Sequence, residues 1–149
     1  MNILIVDDER NYRDLLKECF EAEKWTVFLA ENGEEGLKKL GEAKIDAVIS
    51  DIFMPVMNGI KFRDEMRENP NYANLPFLFV SGYSDNYTLN AVRFPKLEVF
   101  IEKTKPFSEI KAWVEFLTTP IELRNGPSPI EKLKTNPPFI KRNPNEWRR

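Results

Sequence analysis

The sequence predicts an α/β domain: a parallel sheet with helices on both faces. Five short apolar runs recur without the polar–apolar alternation of a half-exposed strand, which is the pattern of strands buried on both sides. Segments with apolar residues at helical spacing separate them, and such alternation of strand and helix is the signature of parallel pairing. Acidic residues close two of the runs. Asp7 and Asp8 follow Ile3–Val6, and Asp51 follows Ile45–Ser50. In an open parallel sheet, the carboxyl ends of the strands are where ligands bind.

In chain order, Ile3–Val6 is the first strand, and Arg10–Lys24 the first helix, with Tyr12, Leu15, Leu16, Cys19 and Phe20 at helical spacing. Trp25–Ala30 is the second strand, and Glu34–Leu40 a short helix stopped by Gly41. Ile45–Ser50 is the third strand. Gly59–Glu68 is the next helix, opening at Gly59 after a tight turn and stopping before Pro70. Pro76–Ser81 is the fourth strand and Asp85–Phe94 a helix closed by Pro95. Leu97–Ile101 is the fifth strand, and Ser108–Leu117 the last helix, with Ser108 as its N-cap.

From Pro120 the pattern breaks. Six of the eleven prolines lie in 120–149, with Asn-Gly-Pro at 125–127 and Pro-Pro at 137–138, so residues 1–119 are expected to form the domain and 120–149 a Pro-rich basic tail or linker. The tail carries seven Lys/Arg against three Glu, whereas the residues before it carry fifteen Lys/Arg against twenty-one Asp/Glu. Phe139, Ile140 and Trp147 are unusually apolar for a solvated tail and suggest a docking segment. Too few residues follow the last helix, with too many prolines among them, for a helix-turn-helix module.

At 149 residues, the chain has the length of about one domain. A net charge of −2 gives no general attraction to nucleic acid or an anionic membrane, and neither is expected as a partner. The apolar N-terminal run is too short for a signal peptide, and no segment is long enough to span a bilayer. The single cysteine, Cys19, falls on a helix's apolar face and is expected to be a buried, inert thiol. One cysteine permits no internal disulfide, which suits a reducing compartment, so the expected location is cytoplasmic. With no histidine in the chain, His-based catalysis and His metal ligation are excluded.

The strand ends supply oxygen ligands, a hydroxyl and a cation: Asp7, Asp8, Asp51, Ser81, and Lys103 or Lys105. Converging carboxylates repel one another unless a cation sits among them. Hard oxygen donors without thiolate or imidazole select Mg²⁺, or Mn²⁺, over zinc. A carboxylate, a hard metal, an ammonium and a hydroxyl are together the parts of a phosphoryl-transfer site. Singly, each has a plainer reading: a helix cap, a turn residue, a strand-end hydroxyl.

Four short stretches, in order on the right strand ends, carry a resemblance: "DDE" after the first strand, "SDIFMPVMNG" around Asp51, "VSG" at the fourth strand and "KPF" after the fifth. The chain resembles the receiver domains of two-component response regulators over about residues 1–118, with 43 residues from Asp8 to Asp51 and 30 from Asp51 to Ser81. The resemblance implies a flavodoxin-like three-layer sandwich with a five-stranded parallel sheet in the order 2-1-3-4-5. It implies Asp51 as phosphoacceptor, taking a phosphoryl group from a histidine kinase or phosphotransfer protein. It implies Mg²⁺ held by Asp7, Asp8, Asp51 and the backbone carbonyl of Phe53. Ser81 is then the hydroxyl that binds a phosphoryl oxygen and moves in switching. A receiver modifies itself and is no turnover enzyme; it acts through the fourth helix, fifth strand and fifth helix on a downstream protein or as a homodimer.

Two features depart from the family pattern. Its phosphoryl-binding lysine stands about 22 residues after the Ser/Thr and directly before a proline; here Lys103 has the spacing and Lys105 the proline. Lys103 is favoured, which puts Phe100 at the position of the family's switch aromatic; in the other register Glu102 would stand there. The family's cis peptide, if kept, lies at Lys105–Pro106. Phe53 and Tyr83, two residues beyond Asp51 and Ser81, are bulky where hydrolytic water would pass, which predicts slow loss of the phosphoryl group. Three further readings stay open: a degenerate receiver acting as a binding scaffold, the receiver of a longer regulator, and an aspartyl-phosphate hydrolase of the haloacid-dehalogenase type. Phe53 counts against the last, because that family's usual second aspartate belongs there.

Overall fold

Successive residues of a strand face opposite sides of a sheet, and in the first strand, β1 (Asn2–Val6), both sides are apolar and buried. Ile3 and Ile5 join one core, and Leu4 and Val6 the other. The computed structural model describes residues 1–124 together with Gly126, Ser128 and Pro129. β2 (Thr26–Ala30), β3 (Ala47–Ser50), β4 (Phe77–Ser81) and β5 (Glu98–Glu102) complete a five-stranded, fully parallel sheet in the order β2-β1-β3-β4-β5. The central strands β3 and β4 are buried throughout, while β2 and β5 at the edges are partly exposed. Helices α1 (Arg10–Ala22) and α5 (Phe107–Thr118) cover one face, through Leu16, Phe20, Ile110, Trp113 and Val114. α2 (Gly33–Glu42) and α3 (Gly59–Glu68) cover the other, through Leu40, Phe62 and Met66. The three-layer sandwich and strand order are those the sequence implies.

Several local expectations are corrected. α1 stops at Ala22, not Lys24, because Lys24 turns into the left-handed region (φ 64°) while Trp25 N–H donates back to the Phe20 carbonyl at 3.1 Å. Its buried stripe is Arg13, Leu16 and Phe20; Cys19 on the flank is half-buried and Leu15 is exposed. α2 runs through Gly41 to Glu42, with Asn32 as its cap. α5 begins at Phe107 behind Pro106, so Ser108 is not its cap. No described peptide bond is cis, Lys105–Pro106 included.

The largest correction is the fourth helix. Asp85 caps it by accepting from Thr88 N–H at 2.9 Å, but α4 is a single turn, Asn86–Leu89. Asn90 Nδ2 donates to the Asn86 carbonyl at 2.7 Å. Beyond that the backbone N–H groups of Arg93 and Phe94 are taken by Glu98 Oε1, at 3.0 and 3.4 Å, instead of by helical carbonyls. Glu98 is buried with Arg63, and the guanidinium groups of Arg63 and the half-buried Arg67 donate to its two oxygens. The segment before β5 is therefore pinned to a buried carboxylate and leaves the helical path.

The first residues of the expected tail stay on the body. A 3₁₀ turn over Ile121–Leu123 follows α5, and Arg124 donates to the carbonyls of Lys96, Leu117 and Thr119. Phe139, Ile140 and Trp147 lie outside the described residues.

Candidate functional site

The parallel register delivers Val6, Ser50 and Ser81 to one edge, so the residues after β1 and β3 meet there. One carboxylate oxygen each from Asp7, Asp8 and Asp51 lies within 4.8 Å of the others. Asp7 and Asp51 are buried and Asp8 is exposed. Asp7 Oδ1 accepts from Glu9 N–H at 2.8 Å, and Asp51 Oδ1 from Ile52 N–H at 2.7 Å, which orients both carboxylates. The Asp51 backbone is set in turn by its N–H to the Val6 carbonyl at 2.9 Å. Gly59 makes room behind it, since a Cβ there would stand 2.0 Å from the Asp51 carbonyl oxygen. The intervening loop turns sharply: Met57 N–H reaches the Pro55 carbonyl at 2.8 Å across Val56, which holds φ at 70°. That is a strained conformation for a β-branched residue.

Lys103 enters the pocket and Lys105 does not. The Lys103 backbone N–H donates to the Ser81 carbonyl at 2.9 Å, extending the β4–β5 ladder by one bond, whereas Lys105 is exposed in the turn that follows. Lys103 Nζ lies 2.9 Å from Asp7 Oδ2, 3.1 Å from Asp51 Oδ2 and 3.2 Å from Glu9 Oε2. Ser81 is fully buried, and its hydroxyl accepts from Tyr83 N–H at 3.2 Å. Phe53 is 43% exposed beside the pocket, with its ring centroid 5.3 Å from Tyr83 and 5.9 Å from Tyr87. Phe100 is half-buried on β5 and packs toward the α2/α3 core.

Burial raises Asp7 to a pKa of about 6, against the hydrogen bonds from Lys103 and Glu9 N–H, and raises Asp51 as well, against the charge of Lys103. Burial pulls the Lys103 ammonium down, but the Asp7 and Asp51 carboxylates more than reverse this and leave it above the ordinary lysine value. One ammonium faces three aspartates and Glu9. Two like charges near 4 Å repel by about 4 kcal/mol at an effective dielectric of 20, so the excess is substantial. The donor set is all oxygen and within one ion's reach, and it fits a hard divalent cation such as Mg²⁺.

Three residues of the pocket were not singled out for it from sequence. Glu9 shares Lys103; its only signal was its place in the "DDE" stretch. Tyr12, counted with the core stripe, lies with its ring centroid 4.7 Å from Lys103 Nζ, and its hydroxyl is buried without a hydrogen-bond partner. Arg13 is buried and donates to the Asp7 carbonyl at 2.6 Å. An arginine in register with Leu16 and Phe20 on an otherwise apolar stripe was the available clue.

A family model described as the response regulator receiver domain matches residues 3–115. The aerobic respiration control protein ArcA of Escherichia coli (strain K12) is 43% identical over 81 residues, 54% of this chain and 33% of that protein. The probable transcriptional regulator ycf27 of Cyanidium caldarium is 32% identical over 127 residues, 84% of this chain and 49% of that protein. The chain thus spans half or less of the length of these curated relatives. Among solved structures, the response regulator protein TrrA of Thermotoga maritima, in complex with Mg²⁺-BeF, aligns with a TM-score of 0.66 at 35% identity over 78% of this chain and 97% of that one. The receiver domain of a Syntrophus aciditrophicus signal transduction histidine kinase, at 24% identity and a TM-score of 0.71, covers 85% of this chain and 95% of that one and shares the fold. Since the matched residues are the same ones that build the sheet and deliver its acidic edge, the chain belongs to the response regulator receiver domain family.

Proposed function

We propose that this chain is a phosphorylation-controlled switch of a cytoplasmic two-component pathway, with Asp51 as its phosphoacceptor. The observation that carries this reading is the pocket itself: three aspartate oxygens within 4.8 Å of one another and Lys103 Nζ 3.1 Å from Asp51 Oδ2. An oxygen of Asp51 attacks the phosphorus of a phosphohistidine on a kinase or phosphotransfer protein. The P–O bond forms as the P–N bond breaks, and the electron pair stays on the imidazole nitrogen, which takes a proton. Asp7, Asp8, Asp51 and the Phe53 carbonyl would hold Mg²⁺, which neutralises charge on the transferring group. Lys103 leaves its carboxylate partners for a phosphoryl oxygen, and the Ser81 hydroxyl donates to another. Tyr12 keeps the ammonium over its ring and Arg13 holds the Asp7 backbone, so both act as positioning residues.

The phosphorylated state would be reported through α4, β5 and α5 to a downstream protein or a second copy, with Ser81 and Phe100 moving together. Phe100 has no hydroxyl, so packing alone distinguishes its two positions. The chemistry consumes one phosphoryl group per protein and is not turnover.

The test is to incubate the full chain with Mg²⁺ and acetyl phosphate and weigh it intact beside Asp51→Asn. A single phosphoryl adduct that needs Mg²⁺ and is absent from the variant is expected. Failure of the native chain to take up phosphoryl would leave the binding scaffold, and repeated turnover of phosphoesters the hydrolase.

A further inference from the structure

At the pole of the sheet opposite the acidic pocket lies an open groove of about 1300 Å³, between the segment preceding β5 and the end of α5. Phe94, Pro95, Leu97, Leu117, Pro120 and Ile121 line it. Phe94 and Ile121 are large apolar side chains, each still 46% exposed, with the Arg67 guanidinium 5.6 Å from the centre of the Phe94 ring. The chain runs out along this groove. Arg124 lines it and is clamped there by Nε to the Thr119 carbonyl at 2.9 Å, Nη1 to the Lys96 carbonyl at 2.8 Å and Nη2 to the Leu117 carbonyl at 2.9 Å. Its guanidinium also lies 4.9 Å from the centre of the Phe116 ring. Pro129, five residues on, is buried.

We propose that residues 130–149 are a tethered ligand of this groove, with Phe139 and Ile140 seated against its apolar lining. Two features select this occupant. Its apolar pair follows Pro137-Pro138, which favour an extended backbone able to present both side chains to a shallow surface. Its reach is sufficient, because the ten residues from Pro129 to Phe139 extend to at most about 35 Å. A short tether holds a ligand at millimolar effective concentration, so even a weak apolar contact is occupied without a partner. The inference rests on the groove and the tail and is independent of the phosphoryl chemistry.

The test is nuclear magnetic resonance of the full chain, beside a Phe139→Ser, Ile140→Ser double variant. Expected are nuclear Overhauser contacts from the Phe139 ring and Ile140 methyls to Leu97, Leu117 or Ile121, unchanged on dilution. In the double variant these contacts are lost and the Leu97 and Ile121 amide resonances shift. Absence of the contacts, with groove amides unmoved in the variant, would overturn the proposal. So would contacts that fade on dilution, since these would mark a second copy in the groove.

Discussion

Phe53 and Tyr83 meet edge to face beside the pocket, and Tyr87 packs against Phe53 as well. Hydrolysis of an aspartyl phosphate needs a water in line with the phosphorus, and rings over that approach exclude it. Replacing Phe53 with Asn and Tyr83 with Ser should therefore quicken decay of the phosphorylated protein by about tenfold, or about 1.4 kcal/mol of barrier. Loss of phosphoryl followed by intact mass reads this, and an unchanged half-life would remove shielding as the cause. At this scale the aspartates were legible jointly, because carboxylates delivered to one sheet edge repel one another unless a cation sits among them. Spacing favoured Lys103 over Lys105 without deciding between them, because the choice turns on one ladder bond, Lys103 N–H to the Ser81 carbonyl. Tyr12 was read only in part, for a related reason. Helical spacing identified its face, and a ring on that face serves the core and the ammonium alike.

Among the elements, Glu98 stands out as the buried carboxylate that ties β5, α3 and the segment after α4 together. Both of its oxygens are used, by Arg63, Arg67 and two backbone N–H groups. Arg63 is fully buried and would keep only the half-buried Asp64, 2.7 Å from its Nε, so removing Glu98 leaves its charge under-compensated away from water. Glu98→Ala should cost about 3–5 kcal/mol of unfolding free energy. Glu98→Gln, which keeps the acceptor for Arg93 and Phe94 N–H, should cost less. Urea denaturation of both variants checks the order; equal small losses would mean the arginines find other partners. The same residue explains why the strands were legible and α4 was not. Buried strands announce themselves in local composition, and those of β1, β3 and β4 came within two residues of their bounds. The end of α4 depends on an acceptor outside it, supplied by a residue whose burial no local pattern reveals. Gly41 and Ser108 failed for a milder reason: local stop and start preferences yield to a helix packed on a core.

For the molecule as a whole, the pocket couples fold stability to pH and, on the proposed function, to metal. Burial raises Asp7 from 3.8 to about 6. Between those values the folded state keeps a proton that the unfolded chain has released. Native protons outnumber unfolded ones there, so unfolding free energy falls as pH rises from about 4 through about 6. Asp51 contributes in the same direction. The loss from Asp7 is on the order of 2 kcal/mol once solvent screening is allowed for. Mg²⁺ held by these carboxylates would act oppositely, because binding requires the ionised form and its apparent affinity would weaken by about tenfold per unit below pH 6. At one hundred times its dissociation constant, Mg²⁺ should stabilise the fold by about 2.7 kcal/mol. Urea midpoints with a chelator should therefore fall from pH 5 to pH 7 more steeply for the native chain than for Asp7→Asn, a comparison that subtracts the other carboxylates. At a fixed Mg²⁺ concentration the native midpoint should rise more at pH 7 than at pH 5. Equal Mg²⁺ shifts at the two pH values, or parallel chelator curves for the two proteins, would show that Asp7 holds no proton in the fold and that its burial is relieved some other way.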